Sequence, residues 1–263
     1  MSLKQIDDRP ADADRPNRFD GIVANQKVIK RVTAMLATNL LPKKIFFTGP
    51  IGSGKTTMAR IVARAKLCQG RRDGEYEPCG TCSNCRNALN DTTCNVIEYH
   101  EHGAINVTEE TLDNFGLMFQ RHWEVIFIDE LQDMELHLLK DLRKMLEGAK
   151  ATIIMATTHP EEIEDAIRNR LKSYEYEMTR PTVDEAADFL EDQFKRHHVS
   201  FNSRQQLTRV ADAYNCEMRP LEEFARKVMA EATGNLTDEY LDETFGLQTV
   251  TQTATGGRRR PLI

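Results

Sequence analysis

Apolar residues recur along this chain in two alternating rhythms as far as residue 180, and in a single rhythm beyond it. Short apolar runs at 44–48, 95–99, 124–128, 152–156 and 173–177 have the length and side-chain content of strands. Between them the spacing turns helical. Ile29, Val32, Met35, Leu36 and Leu40 share one face before the first run, and 57–64, 135–146 and 161–168 read as helices after the first, third and fourth. A further helix is expected after the second run, with Thr108 as its cap and acids in its first turn. Strands alternating with helices predict an α/β fold: a five-stranded parallel sheet covered on both faces.

Past Arg180 and Pro181 the strand signal stops. Residues 183–197, 204–215, 218–232 and 236–244 read as helices. Thr182 caps the first, and Pro220 is tolerable in a first turn with no N–H bond to lose. The expected organisation is a polar extended arm over 1–18, an α/β domain over 19–179, a small all-α domain over 180–246, and a flexible tail over 247–263 carrying Arg258, Arg259 and Arg260.

Composition changes this picture little. At 263 residues, 40% hydrophobic and 29% charged, the chain is ordinary for a water-soluble globular protein. No apolar run approaches the ~20 residues of a membrane span. The N-terminal residues lack an apolar signal core, so a cytoplasmic location is expected. A net charge of −6 excludes a chain-wide basic footprint for nucleic acid. Any DNA contact must be local, or shared among several subunits.

The cysteines change it more. Cys68, Cys79, Cys82 and Cys85 cluster in sequence, the last three at C-x2-C-x2-C spacing, while Cys94 and Cys216 stand apart. In a reducing compartment such thiols point to metal ligation rather than disulfides. Four thiolates with no open position suit a tetrahedral structural Zn²⁺, against the alternatives of free loop thiols or an iron–sulfur cluster. The intervening residues 69–74 and 80–84 have loop chemistry and need such a staple.

The strongest chemical signal follows the first strand. Gly49, Pro50, Ile51, Gly52, Ser53, Gly54, Lys55 and Thr56 satisfy the phosphate-loop pattern G-x-x-x-x-G-K-[ST] in full, and Thr57 continues into a helix. Glycines let successive N–H groups turn inward on a phosphate, and the helix N-terminus adds its positive end. Lys55 would reach the β- and γ-phosphates of ATP, and the Thr56 hydroxyl would hold Mg²⁺. Asp129, at the tip of the third strand, would hold the waters of the same ion. Glu130 is placed to polarise an attacking water, which favours hydrolysis over binding alone.

The strand–loop–helix order, the Asp-Glu pair and a small helical domain after the sheet resemble the AAA+ ATPases. A four-cysteine module directly after the phosphate-loop helix narrows the resemblance to the clamp loader of bacterial DNA polymerase III, to its gamma/tau motor subunit or the related delta-prime subunit. Arg15-Pro16, Phe19-Asp20, Ile22-Val23, Pro78-Cys79-Gly80, Val96-Ile97-Glu98 and the stretch from Met155 to Pro160 agree with that family. The intact phosphate loop favours the motor subunit. The resemblance implies that Val23 is a nucleotide-binding residue and Thr158 a sensor of the γ-phosphate. It implies that Arg170 is a finger reaching a neighbour's ATP, with Arg168 competing for that role, and that Arg219 couples a helical lid (180–246) to the nucleotide. As partners it implies other clamp-loader subunits in a hetero- or homo-oligomer, a sliding clamp and primed DNA.

Several positions depart from the family. Ala24-Asn25 stands for Gly-Gln, Asn169-Arg170-Leu171 for Ser-Arg-Cys, and 103–106 lacks the usual basic residue. A proline-rich turn is shortened to Gly148-Ala149-Lys150. The sequence ends where the family's collar domain would begin, so a divergent relative lacking the collar is expected. The rival readings are another AAA+ machine, such as a helicase loader, and an ATP-binding scaffold with little turnover.

Overall fold

The computed structural model describes residues 15–89, 96–100, 103–105, 124–134, 136–148, 150–231 and 235–245. Residues 1–14 of the arm expected over 1–18, the helix expected around Thr108, and the tail lie outside the described residues, as does Cys94.

Helix α1 (Gln26–Ala37) precedes strand β1 (Lys44–Thr48), and helix α2 (Lys55–Leu67) follows it. A short helix α3 (Ser83–Leu89) closes the cysteine segment, starting inside the stretch expected as loop. Then come β2 (Val96–His100), β3 (Gly103–Ile105), β4 (Val125–Ile128), α4 (Leu136–Gly148), β5 (Thr152–Thr157), α5 (Asp165–Leu171) and β6 (Glu175–Glu177). The sheet order is β3-β2-β4-β5-β1-β6.

Two expectations need correction here. The sheet has six strands rather than five: the five expected strands pair in parallel, and a sixth joins them at one edge. β3 runs antiparallel to β2, pairing Glu98 with Ile105 and His100 with Gly103. Three residues that include glycine and alanine carry almost no strand propensity, so this edge is a product of backbone pairing that periodicity does not register. The second correction is at Leu40. α1 stops at Ala37 because Asn39 takes a left-handed conformation (φ 55°), and the Leu40 N–H returns to Met35 O at 2.8 Å. Leu40 is therefore 73% exposed, off the apolar face.

Alternation of side chains across β1 builds the core. Phe47 packs with Val32 and Leu36 of α1 and with Met58 and Val62 of α2 on one face. Its neighbour Phe46 packs with Leu138 and Leu142 of α4 and Ile167 of α5 on the other. Helices therefore cover both faces, and the C-terminal ends of β1, β4 and β5 open on the same edge.

After residue 180 come α6 (Val183–Arg196), α7 (Arg204–Ala213), α8 (Met218–Glu231) and α9 (Asp238–Phe245). They share a separate core around Leu190, Phe194, Val210, Leu221 and Val228. The entry is capped as expected: Thr182 Oγ1 accepts from Glu185 N, and the Glu185 carboxylate accepts from Thr182 N at 2.8 Å. Strands do not stop entirely, however. Two-residue strands β7 (Ser200–Phe201) and β8 (Asn235–Leu236) pair in parallel, too short to leave a sequence signal.

Candidate functional site

The phosphate loop leaves β1 at a position that only glycine can hold. A Cβ on Gly49 would lie 2.1 Å from Met178 O, because the chain beyond β6 is drawn in by a 2.7 Å bond from Met178 N to Thr48 O. α2 starts directly behind the loop, with Gly54 as its left-handed N-cap. Lys55 is only 5% exposed, and its ammonium donates to Gly49 O at 2.9 Å and Pro50 O at 3.0 Å. Burial pushes its pKa down, while Glu130 and Asp129 oppose that shift. Ser53 Oγ is buried without a hydrogen-bond partner among the described residues. A buried cation, an orphaned hydroxyl and the N-terminus of a 13-residue helix fit a polyphosphate.

The acids meet this loop from the neighbouring strand end. Thr56 Oγ1 donates to Asp129 Oδ2 at 2.9 Å, so the two candidate Mg²⁺ holders already touch. Asp129 is 6% exposed. Glu130 turns out of the strand at φ 46°, and its Oε2 accepts from Gln132 Nε2 at 3.0 Å and Thr158 Oγ1 at 3.1 Å. Gln132 is the residue that sequence reasoning missed. Its amide nitrogen also reaches Thr158 Oγ1 at 3.3 Å, and its carbonyl accepts from Thr157 Oγ1. It links the tips of β4 and β5. Its one legible signal is a polar residue two places after the Asp-Glu pair, which is weak by itself.

The helical segment touches the loop through residues not singled out in advance. Arg180 Nε donates to Ile51 O at 2.9 Å, and its other arm pairs with Glu217 at 2.7 Å. Glu217 also packs on Gly52, where a Cβ would meet its side chain at 3.2 Å. Arg219, two residues on at the start of α8, is exposed, and no hydrogen bond or ion pair holds it among the described residues. Asn25, at the family's Gln position, stands at φ 66° and holds three segments together. Its Nδ2 donates to Ser53 O (3.1 Å) and Thr179 O (2.9 Å), and its Oδ1 accepts from Thr179 N (2.8 Å).

Two predicted residues lie apart from this cluster. Val23 lines a cleft of about 740 Å³ between the N-terminal segment and α6 and α8, with Phe189, Ala225 and Met229 opposite. Arg170, on α5, is tied back to Ala166 O at 2.5 Å and to the Glu147 carboxylate at 2.6 Å.

The four cysteines Cys68, Cys79, Cys82 and Cys85 do come together, with sulfurs all within 4.8 Å of one another. Backbone N–H groups point at the sulfurs: Cys79 N at Cys68 Sγ (3.2 Å), Cys82 N at Cys79 Sγ (3.3 Å) and Cys85 N at Cys82 Sγ (3.4 Å). The Thr81 hydroxyl, with backbone amides, brings the Cys79 thiol down to about 5, whereas burial pushes Cys85 up. N–H groups aimed at sulfur favour thiolate, and the donor set fits a tetrahedral structural metal such as Zn²⁺.

Known proteins place this geometry. The chain is 26% identical over 239 residues to the DNA polymerase III tau subunit of Salmonella typhimurium, covering 88% of this chain and 36% of that protein. Against the gamma subunit of Buchnera aphidicola it is 23% identical over 241 residues, covering 89% and 63%. It therefore spans from about a third to somewhat under two thirds of these two curated relatives. Among solved structures, the RuvB Holliday junction branch migration motor of Thermotoga maritima superposes with a TM-score of 0.63 at 16% identity, covering 88% of this chain and 72% of that one. That likeness shows the AAA+ fold. No helix among the described residues is long and apolar enough to cross a membrane. The family model described as DNA polymerase III, delta subunit, matches residues 24–179. This chain belongs to that family, and it is a clamp-loader-like protein of AAA+ fold.

Proposed function

We propose that this chain is an ATP-hydrolysing motor subunit of a clamp loader, which loads a sliding clamp onto primed DNA. The α/β domain would span 19–179 and the helical lid 180–246. The observation that carries the reading is the Thr56–Asp129 contact at 2.9 Å, with Glu130 next in sequence and Lys55 buried in the loop behind. A scaffold that only stored nucleotide would need no acid beyond Asp129.

In this reading Lys55 gives up the carbonyls of Gly49 and Pro50 for phosphate oxygens. Thr56 and Asp129 hold Mg²⁺, which when bound neutralises charge on the β- and γ-phosphates. Glu130 accepts a proton from the attacking water, held in place by Gln132 and Thr158. Thr158 thereby connects the water site to the γ-phosphate site. Arg219, free at the start of α8, closes on the nucleotide from the lid. Arg170 leaves Glu147 for a neighbouring subunit's phosphates. Other clamp-loader subunits supply the rest of the assembly, and primed DNA is gripped by cations from several of them, because one chain of charge −6 lacks the field to do so. The relatives named DNA polymerase III tau and gamma support this assignment.

The test is retention of a ring clamp on primed circular DNA, with ATP and the partner subunits. Loading that needs this chain and fails with Lys55→Ala supports the proposal. Loading that proceeds equally with Lys55→Ala overturns it.

A further inference from the structure

The thiolate cluster does more than shut its own loop. Arg64, on α2, is a cation at 9% exposure whose Nε has no hydrogen-bond partner among the described residues. A charge buried in this way is costly unless an opposite charge faces it. Helix α2, which carries Arg64, also packs against α3 of the cysteine segment.

The other arm of Arg64 leads away from the cluster. Its NH1 donates to Asn17 O at 3.1 Å. One segment before Cys79, the Glu77 carboxylate accepts from Phe19 N and Asp20 N, each at 3.1 Å, holding the first N–H groups of the turn Phe19–Gly21. Arg18 NH1 donates back to Pro78 O at 3.3 Å, and the Phe19 ring meets the Tyr76 ring edge-on at 6.3 Å. The segment held by these contacts includes Pro16, Asp20, Gly21, Ile22 and Val23, which line one wall of the 740 Å³ cleft facing α6 and α8.

We propose that the cysteine module is the mount for this wall of the cleft, with Arg64 and Glu77 as the positioning residues that carry its order to residues 16–23. Metal at the cysteines then sets how well the cleft is formed. Where that cleft takes the nucleoside end of ATP, which rests on the function proposed above, metal loss weakens nucleotide binding at a distance from every phosphate contact.

Parent chain, Arg64→Met and Glu77→Gln, all zinc-loaded, test this through three readouts: zinc retention against a competing chelator, amide exchange over residues 16–23, and Mg-ATP affinity by calorimetry. Arg64→Met, which removes the bond to Asn17 O, should exchange faster across 17–20. Glu77→Gln should hold zinc like the parent, yet expose the Phe19 and Asp20 amides and weaken Mg-ATP by about threefold to tenfold, roughly one lost charged hydrogen bond. Zinc-stripped parent should show the same faster exchange, while the amides of β1 and β5 stay protected. Unchanged exchange over 16–23 in stripped parent and in both variants would overturn the mount. A parent that exchanges as described but binds no Mg-ATP would instead refute the nucleotide reading and leave the mount standing.

Discussion

The helix Lys55–Leu67 has a candidate site at each end, and the two ends bury a cation for different reasons. At the N-terminal end Lys55 is 5% exposed and borrows two loop carbonyls, in a cradle built on a buried interior strand of the sheet. Toward the C-terminal end Arg64 is 9% exposed and donates to Asn17 O, just ahead of a cysteine segment with little apolar core of its own. The first site is pre-formed by the fold. The second is expected to depend on what it binds. Loss of ligand should therefore leave the phosphate loop's shape intact, and loss of metal should loosen the cysteine segment and what leans on it.

Breaking the pre-formed end gives the largest effect. Lys55→Ala should lower ATP turnover by about 10²–10³-fold, the scale of losing one charged stabiliser in a closed site, with little change in thermal midpoint. Phosphate release and a melting curve on the same sample check both halves. Removing two ligands at the other end, with Cys82→Ser and Cys85→Ser together, should do the reverse. Stoichiometric zinc should disappear from elemental analysis. A loss of about 3 kcal/mol, comparable to a lost covalent staple, would lower Tm by roughly 6–12 °C.

Smaller changes sharpen the contrast inside the pre-formed site. Gln132→Leu keeps the volume and removes the amide between Glu130 and Thr158. Turnover should fall about tenfold with ATP affinity unchanged, which single-turnover and binding measurements separate. Asn25→Ala removes four hydrogen bonds and asks alanine to hold φ 66°. It should cost about 1–3 kcal/mol by denaturant titration.

What was legible in the sequence follows the range of the interaction. The phosphate loop could be read because its glycines, lysine and threonine act within eight consecutive residues, and the cysteine cluster because ligand spacing is local. The start of α6 could be read because Thr182 and Glu185 cap it reciprocally three residues apart. Asn25 looked like a departure from the family pattern, and its bonds to Ser53 and Thr179 span 28 and 154 residues. Those of Arg180 with Ile51 and Glu217 are likewise contacts that no local pattern encodes. Gln132 was missed on the same ground: it touches Thr157 and Thr158, at the end of a different strand.

In the proposed cycle Glu130 acts on water at a site whose nucleotide grip belongs to Lys55, Thr56 and Asp129. Parallel measurement of Mg-ATP affinity and phosphate release for the parent and Glu130→Gln tests it most directly. Affinity should be equal, with release by the variant lowered about 10²-fold or more, in the range expected for a lost general base. Phosphate release at the parent's rate from Glu130→Gln would contradict it.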